Sequence, residues 1–567
     1  MPKLKTKTVL IGIFILSLLI RLLYLYQLKK TPLFGFFAAD SFTYHQFALD
    51  ILEGNLTSKA TLHLSPLYPF FLACVYTIFG KNLTAVVSLQ IILDALNCVL
   101  LYFLCSSLFN RRNLGLLAAF IYAGYSMAIF YSGFILDVTL LTFINLVLIL
   151  LVLRAESKNK LGPWLACGLV LGLSFLLKAS ILLFLPFLAV WLLTNKKREV
   201  KTRLGQITLL LLGLALVVLP FSIRNYLIEK RLSPLPIQGG INFYIGNNPY
   251  AKGGYTSLYD VQDSPIEQVN ASIRRAEQET GRTLKPTEAS SYWFFKGLNF
   301  IKTNPRQYLG LSLRKLFLFW NAEEVMVNLN YYFCKRFLPL FALPFFSFGL
   351  ISSLGILGII WAIKNRQTQS FPVISFIAIY MACLILFYVS SRHRFPCLPL
   401  IIMFAAYSCC NFIDLIKEKR KKELFLFCLL FLVLVIITNR ETAAVNTKNT
   451  FVVSYNNLGK VYEEKGLFDQ AIAEYQNAIE EKSDYPPAHF NLAGSYYKKG
   501  LVDQAIAEYQ KTVQINPNHA QAHSNLAVLY FYKKGEIDRA REHYYQALEN
   551  GLPANPEFAS ELFQERN

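Results

Sequence analysis

"MPKLKTKTVLIGIFILSLLIRLLYLYQLKK", residues 1–30, decides the fold class. From Thr8 to Gln27 the run is almost wholly apolar, and about 20 such residues is the length a helix needs to cross a bilayer. Its basic start is like a signal peptide. The apolar run is too long for an ordinary signal core, and no small-residue cleavage site follows, so it reads as an uncleaved first span. Similar windows recur at 83–108, 114–132, 138–153, 162–177, 180–194, 205–222, 337–362, 371–389, 395–413 and 423–438. The expectation is an all-α, polytopic membrane domain over 1–440 with about eleven spans. Composition agrees: 16% of residues are charged, against about 25% in soluble domains. The stretch 66–79 is apolar but short, and reads as an interfacial or re-entrant helix.

The net charge of +20 does not point to nucleic acid, because residues 452–567 carry 11 Lys and Arg against 16 Asp and Glu. The surplus lies in short clusters between spans: Lys3/Lys5/Lys7, Arg111/Arg112, Arg154/Lys158/Lys160, the 196–203 group, Lys364/Arg366 and the 417–422 group. All fall on one side, which the positive-inside rule makes the cytoplasm. The loops 28–82 and 223–336 and everything beyond the last span are then extracytoplasmic, the protein sitting in the cytoplasmic (inner) membrane. The ten cysteines form no paired CxxC motifs, so neither a disulfide framework nor a zinc site is expected.

After a linker at 441–451, residues 452–567 repeat with a period of 34: Asn457, Asn491 and Asn525 recur, as do Gly466/Gly500 and Ala471/Ala505. Gly535 and Ala540 come one residue late. The period and its small residues resemble the tetratricopeptide repeat, an α-α solenoid of stacked helical hairpins. About three repeats are present, with 550–563 as a partial cap. By repeat position Asn456, Lys460, Phe490, Tyr497, Lys498, Val528 and Phe531 would line a concave groove, or serve as ordinary helix surface in a spacer or dimerisation module.

In the long loop 223–336, Pro265 and Pro286 mark helix starts, Gly281 a C-cap and Pro305 a stop. The segment "PRQYLGLSLRKLFLFWN" suits a helix lying in the membrane interface.

Four cations break the charge rule on the outer side: Lys178, Arg224, Arg392 and Arg394. Ionisable groups at a membrane boundary are costly, and holding a lipid phosphate is a natural use for them; snorkelling to head groups is the bland alternative. Two carboxylates, Asp40 and Asp137, share that side. Each suits a general base near a desolvated site, and each equally suits a helix N-cap. Together they would also suit a divalent ion such as Mg or Mn.

"ADSFTYHQFALDILEGN" (39–55), with an acid, an aromatic four residues on and a Gly-Asn turn, resembles the first outer loop of the GT-C membrane glycosyltransferases. "SPLYPFFLACVYTIFG" resembles their juxtamembrane helix, and "GGINFYIGNNP" and "SRHRFPCLPLIIMFAA" are similar to later segments of the bacterial branch. That branch includes lipopolysaccharide-core sugar transferases and aminoarabinose transferases of lipid A; protein O-mannosyltransferases are more distant. The resemblance covers roughly 1–440. It implies transfer of a monosaccharide from a polyprenyl-phosphate donor, with inversion, to an extracytoplasmic protein, lipid or glycan. It implies Asp40 as base and Asp137 as the second acid. Lys178, Arg224, Arg392 and Arg394 would hold the donor phosphate, and Tyr44, His63 and Tyr68 would be substrate contacts. Aminoarabinose transferases carry a Lys where this chain has Ser65, with His63 as a weak substitute, which argues against that substrate. The alternatives are an O-antigen ligase or polymerase-like glycan transferase, or a non-enzymatic scaffold displaying repeats. The absence of histidine from 223–336 disfavours the ligase.

Overall fold

A computed structural model describes residues 2–35, 40–55, 65–158, 160–195, 198–229, 238–255, 265–327, 330–343, 345–441 and 447–564. Their secondary structure is helical, with no strand among the described residues. The chain forms two compact units: Met1–Leu28, Phe37–Tyr331 and Lys335–Val445 make the first, and Lys29–Phe36, Tyr332–Cys334 and Asn446–Asn567 the second.

Among the described residues of the first unit six helices are long and apolar enough to cross a membrane by length and composition: Thr6–Leu28, Leu83–Phe109, Val138–Lys158, Val200–Leu227, Thr368–Leu386 and Ser391–Lys417. The chain is a multi-pass membrane protein. The other five of the eleven expected spans fall on shorter, broken or charge-bearing helices. Hydropathy averages over a window and does not register a break within it. The 114–132 window divides at Gly124 into Arg112–Ala123 and Ser126–Ser132. Gly162–Leu177 stops at Lys178, whose backbone is extended (φ −153°, ψ 113°), before a 3-10 turn and the helix Phe184–Thr194. In the 337–362 window the α-helix begins only at Phe348. Lys421–Thr438 carries three charges in its first turn. The short stretch 66–79 forms the 13-residue helix Leu67–Phe79.

Small and polar residues fix how the spans meet. Gly168 and Gly213 face each other between Gly162–Leu177 and Val200–Glu229, and a Cβ on either would run into the opposing backbone. Between the first two long helices Arg21 Nε donates to Asp94 Oδ2 at 2.6 Å, with both side chains fully buried. Ser17 Oγ and the Ala123 carbonyl accept from Arg21 Nη1 at 2.7 and 3.1 Å, and Tyr122 donates to Asp94 at 2.5 Å. Removing one partner of such a pair strands a charge in the interior and costs about 3–5 kcal/mol.

The described residues of the loop 223–336 include the helices Gly239–Gly246, Pro265–Thr280, Pro286–Thr303 and Pro305–Trp320. Proline opens the last three because its missing N–H costs nothing there, and Gly281 follows the first of them at φ +69°. Buried Lys315 ties the loop to the end of the Thr368–Leu386 span by donating to Asn247 Oδ1 at 3.1 Å and to the Ile385 carbonyl at 3.0 Å. Burial lowers its ammonium to about 7. The unfolded chain then binds one more proton between that value and the ordinary lysine range. Loop stability therefore rises with pH from about 7 to about 10.5, by at most about 1.4 kcal/mol per unit. Hydrogen exchange of this loop against pH should show that slope in the wild type and lose it in Lys315→Met.

In the second unit Thr447–Glu464/Phe468–Glu481, Pro486–Lys498/Val502–Ile515 and Ala520–Leu529/Ile537–Glu549 form three helical hairpins. Gly466, Gly500 and Gly535 take positive φ (73°, 79° and 70°) at the turns. Ala471, Ala505 and Ala540 are wholly buried where the helices cross. The one-residue delay in the third repeat has a structural cause: Tyr530–Lys534 is a π-helical turn that absorbs the extra residue before Gly535. Pro556–Phe563 closes the stack, burying Phe558 and Leu562 against the repeats.

Candidate active site

Asp40 opens the Asp40–Leu52 helix. Asp137 immediately precedes Val138–Lys158, its carbonyl accepting the Leu141 N–H at 2.9 Å. Both carboxylates therefore sit at the positive end of a helix. Arg392 lies on the turn Ser391–Arg394, fixed by the Ser391 N–H donating to the Val325 carbonyl (2.8 Å) and the His393 N–H donating to Ser390 Oγ (3.3 Å).

The guanidinium of Arg392 joins the two acids: one terminal nitrogen donates to Asp40 Oδ2, the other to Asp137 Oδ1 at 2.7 Å. The partners are 352 and 255 positions away in sequence. The Arg392 and Asp137 side chains are 5% and 6% exposed and that of Asp40 is 20%, so Asp40 is the carboxylate a mobile substrate can reach.

Lys178 lies within electrostatic reach of Asp137, Arg392 and Asp40, yet donates to none of them. Burial lowers its ammonium from the ordinary lysine value, Asp137 opposing and Arg392 reinforcing that shift. Tyr44 packs beside the cluster, and burial together with the Asp137 carboxylate pushes its hydroxyl well above the ordinary range. Tyr44 meets Tyr68 edge-on with centroids 4.9 Å apart. Tyr68 is fully buried and its hydroxyl donates to Gln90 Oε1, which makes it a support of the site.

Arg394 is committed elsewhere. Its Nη1 donates to the carbonyls of Phe319 (2.9 Å) and Asn321 (3.0 Å), its Nη2 to Glu324 at 2.7 Å, and its guanidinium lies 3.6 Å from the centre of the Phe348 ring. Glu324 also accepts from Tyr125 at 2.9 Å. Arg224, near the C-terminal end of Val200–Glu229, donates to Asn225 Oδ1 at 2.9 Å. His63 lies outside the described residues.

Asp40 and Asp137 each give an oxygen to the guanidinium, which fills the place between them that a divalent ion would take. Among the described residues no group of three or more His, Cys, Asp or Glu gathers to hold a metal. The donor set as folded does not fit Mg or Mn, and no step below uses one.

Residues 63–223 match the family described as dolichyl-phosphate-mannose-protein mannosyltransferase, and 463–529 match the tetratricopeptide repeat. Two curated relatives are undecaprenyl phosphate-alpha-4-amino-4-deoxy-L-arabinose arabinosyl transferases. The one from Yersinia enterocolitica is 29% identical over 150 residues, 26% of this chain and 27% of its own length. The one from Pseudomonas aeruginosa is 30% identical over 158 residues, 27% and 29% of the two lengths. Over residues 63–223 the chain is thus similar to membrane glycosyltransferases, and over 463–529 to tetratricopeptide repeats. The matched segment spans under a third of either relative. A solved first tetratricopeptide domain of Spaghetti (RPAP3) bound to an HSP90 peptide is 23% identical, covering 20% of this chain and 89% of that one at a TM-score of 0.19, too low to bear on shape or ligand.

In the first unit the match begins at 63 and ends at 223, so it takes in Tyr68, Asp137 and Lys178 and leaves out Asp40, Arg392 and Arg394. In the repeats, Asn456 is buried and accepts from Asn491 at 2.9 Å, and Lys498 is paired with Glu463 at 2.8 Å. Phe490 stacks on His519 at 4.9 Å, and Val528 and Phe531 pack against the repeat core. Lys460 is half-buried, and Tyr497 is 44% exposed, open to a ligand. Sequence reasoning missed Glu324, which looks like any loop acid, and Gln90, whose polarity is hidden in an apolar window.

Proposed function

We propose that the chain is an integral-membrane glycosyltransferase that moves one sugar from a polyprenyl-phosphate donor to an acceptor on the outer side of the cytoplasmic membrane. The observation that carries this reading is the convergence of Asp40, Asp137 and Arg392 in one buried cluster beside an uncommitted Lys178. Asp40, the exposed member, takes the proton of the acceptor hydroxyl. The acceptor oxygen forms a bond to the anomeric carbon as the bond from that carbon to the phosphate oxygen breaks. The electron pair leaves with the phosphate, and one displacement inverts the centre. Lys178 binds the donor phosphate, which is already charged in the bound donor, and keeps hold of it as it leaves, an interaction that counts for more in a site shielded from water. Asp137 holds Arg392 in place and so keeps a cation beside both acid and leaving group. Arg394 acts at one remove by fixing the 319–324 turn. Arg224 contributes to the same outer field.

The repeats, placed outside the cell in this reading, select a protein acceptor or a partner that delivers one. The bacterial relatives' names give an undecaprenyl-phosphate sugar as donor; a lipid or glycan is the alternative acceptor. Membranes holding the full chain, given polyprenyl-phosphate sugars and extracytoplasmic extract, should release polyprenyl phosphate and add a hexose or pentose to an acceptor by mass spectrometry. A chain ending at Val445 should still consume donor and lose protein modification. Unchanged protein modification by that shorter chain would remove the repeats from acceptor choice. No donor consumption by the full chain would overturn the enzyme reading.

A further inference from the structure

We propose that Gln90 is a positioning residue for this transfer; the inference rests on the reading above. Gln90 is fully buried on the membrane-length helix Leu83–Phe109, within the apolar run "AVVSLQIIL". A primary amide there is costly unless its hydrogen-bonding groups are met, and water is not at hand to meet them. The bonds it makes all lead toward the site. Its Nε2 donates to the carbonyls of Ser132 (3.2 Å) and Phe134 (2.8 Å), in the turn that delivers Asp137. Its Oε1 accepts from the Tyr68 hydroxyl. Tyr68 in turn meets the ring of Tyr44, one helical turn beyond Asp40. One side chain thus joins a span, the Leu67–Phe79 helix and the turn before Asp137, and through Tyr68 it reaches the helix that Asp40 opens.

The turn's own bonds are short-range: the Gly133 and Phe134 N–H groups donate to the Phe130 and Tyr131 carbonyls (3.2 and 3.4 Å), the Leu136 N–H to the Phe134 carbonyl (2.8 Å), and Ser132 Oγ to the Ile129 carbonyl (2.7 Å). Those local bonds shape the turn, and the two amide bonds from Gln90 tie it to the Leu83–Phe109 helix, and with it the position of Asp137 relative to Arg392. A displacement on the order of 1 Å at such a site costs about a hundredfold in rate.

The test is a double-mutant cycle on the full chain in detergent, following polyprenyl phosphate released from a polyprenyl-phosphate sugar. Gln90→Leu should lower kcat about tenfold to a hundredfold with the donor KM within threefold. Combined with Asp137→Asn, it should add under threefold to the loss from Asp137→Asn alone, because it acts through that carboxylate. Tyr68→Phe keeps both amide bonds to the turn and should lose less than Gln90→Leu. It also serves as the second variant should Gln90→Leu not yield folded protein: a Tyr68→Phe loss that is additive with Asp137→Asn overturns the proposal. Full activity in Gln90→Leu, or additive losses in the cycle, overturns it with the enzyme reading intact. A wild type that releases no polyprenyl phosphate overturns both.

Discussion

Arg392→Leu abolishes transfer and destabilises the membrane domain. The substitution leaves Asp40 and Asp137 facing each other in a low-dielectric site with the cation between them gone. Breaking a buried pair from one side costs about 3–5 kcal/mol, a large part of the stability of a typical domain. Relief comes only if one acid takes up a proton, which removes either the base or the group that orders the site. Thermal unfolding in detergent should show the loss, and adding Asp137→Asn should restore part of the stability without restoring activity. Arg392→Lys should recover charge but not both bonds, because a point ammonium does not reproduce the two-nitrogen fork that spans two carboxylates. A variant with wild-type melting and turnover would contradict the assignment.

Lys178→Met raises the donor KM about tenfold to a hundredfold, the size of one charge-assisted hydrogen bond to phosphate. The ammonium has no bond to the carboxylates it faces, so removing it leaves the folded cluster intact. The effect should therefore appear in donor binding with little change in melting temperature. That combination separates Lys178 from Arg394, whose loss would take the cation from buried Glu324 and a donor from two backbone carbonyls and lower stability first. Titration of donor against initial rate in the two variants distinguishes the cases.

Much of this was legible in the sequence. Asp40 stood out as a lone acid after a span, and Arg392 as a cation where outer loops should carry none. The repeat period forecast the hairpins, and its one-residue slip turns out to lie where the π-helical turn falls. What could not be read was who meets whom. Arg392 and Arg394 share one motif, but about 100° per helical residue turns them to opposite faces, one to the acids and the other to Glu324 and backbone carbonyls. The joining of Asp40 to Asp137 depends on helices far apart in the chain, which no local pattern encodes. Gln90 and Asp94 lay inside one apolar window, and hydropathy averaging hid both. The same averaging hid the break at Gly124; among the described residues the eleven windows resolve into six membrane-length helices and a set of shorter ones.

The most direct measurement is polyprenyl phosphate released per folded molecule by wild type and by Asp40→Asn, with melting temperature recorded on the same samples. Asparagine keeps the size of the side chain and can still accept a hydrogen bond from Arg392, but it cannot take a proton. The account predicts equal donor KM, a melting temperature within a few degrees and a rate lower by about 10²- to 10⁴-fold. Asp40→Asn turning over at the wild-type rate would contradict the assignment of Asp40 as the base, and with it the central claim.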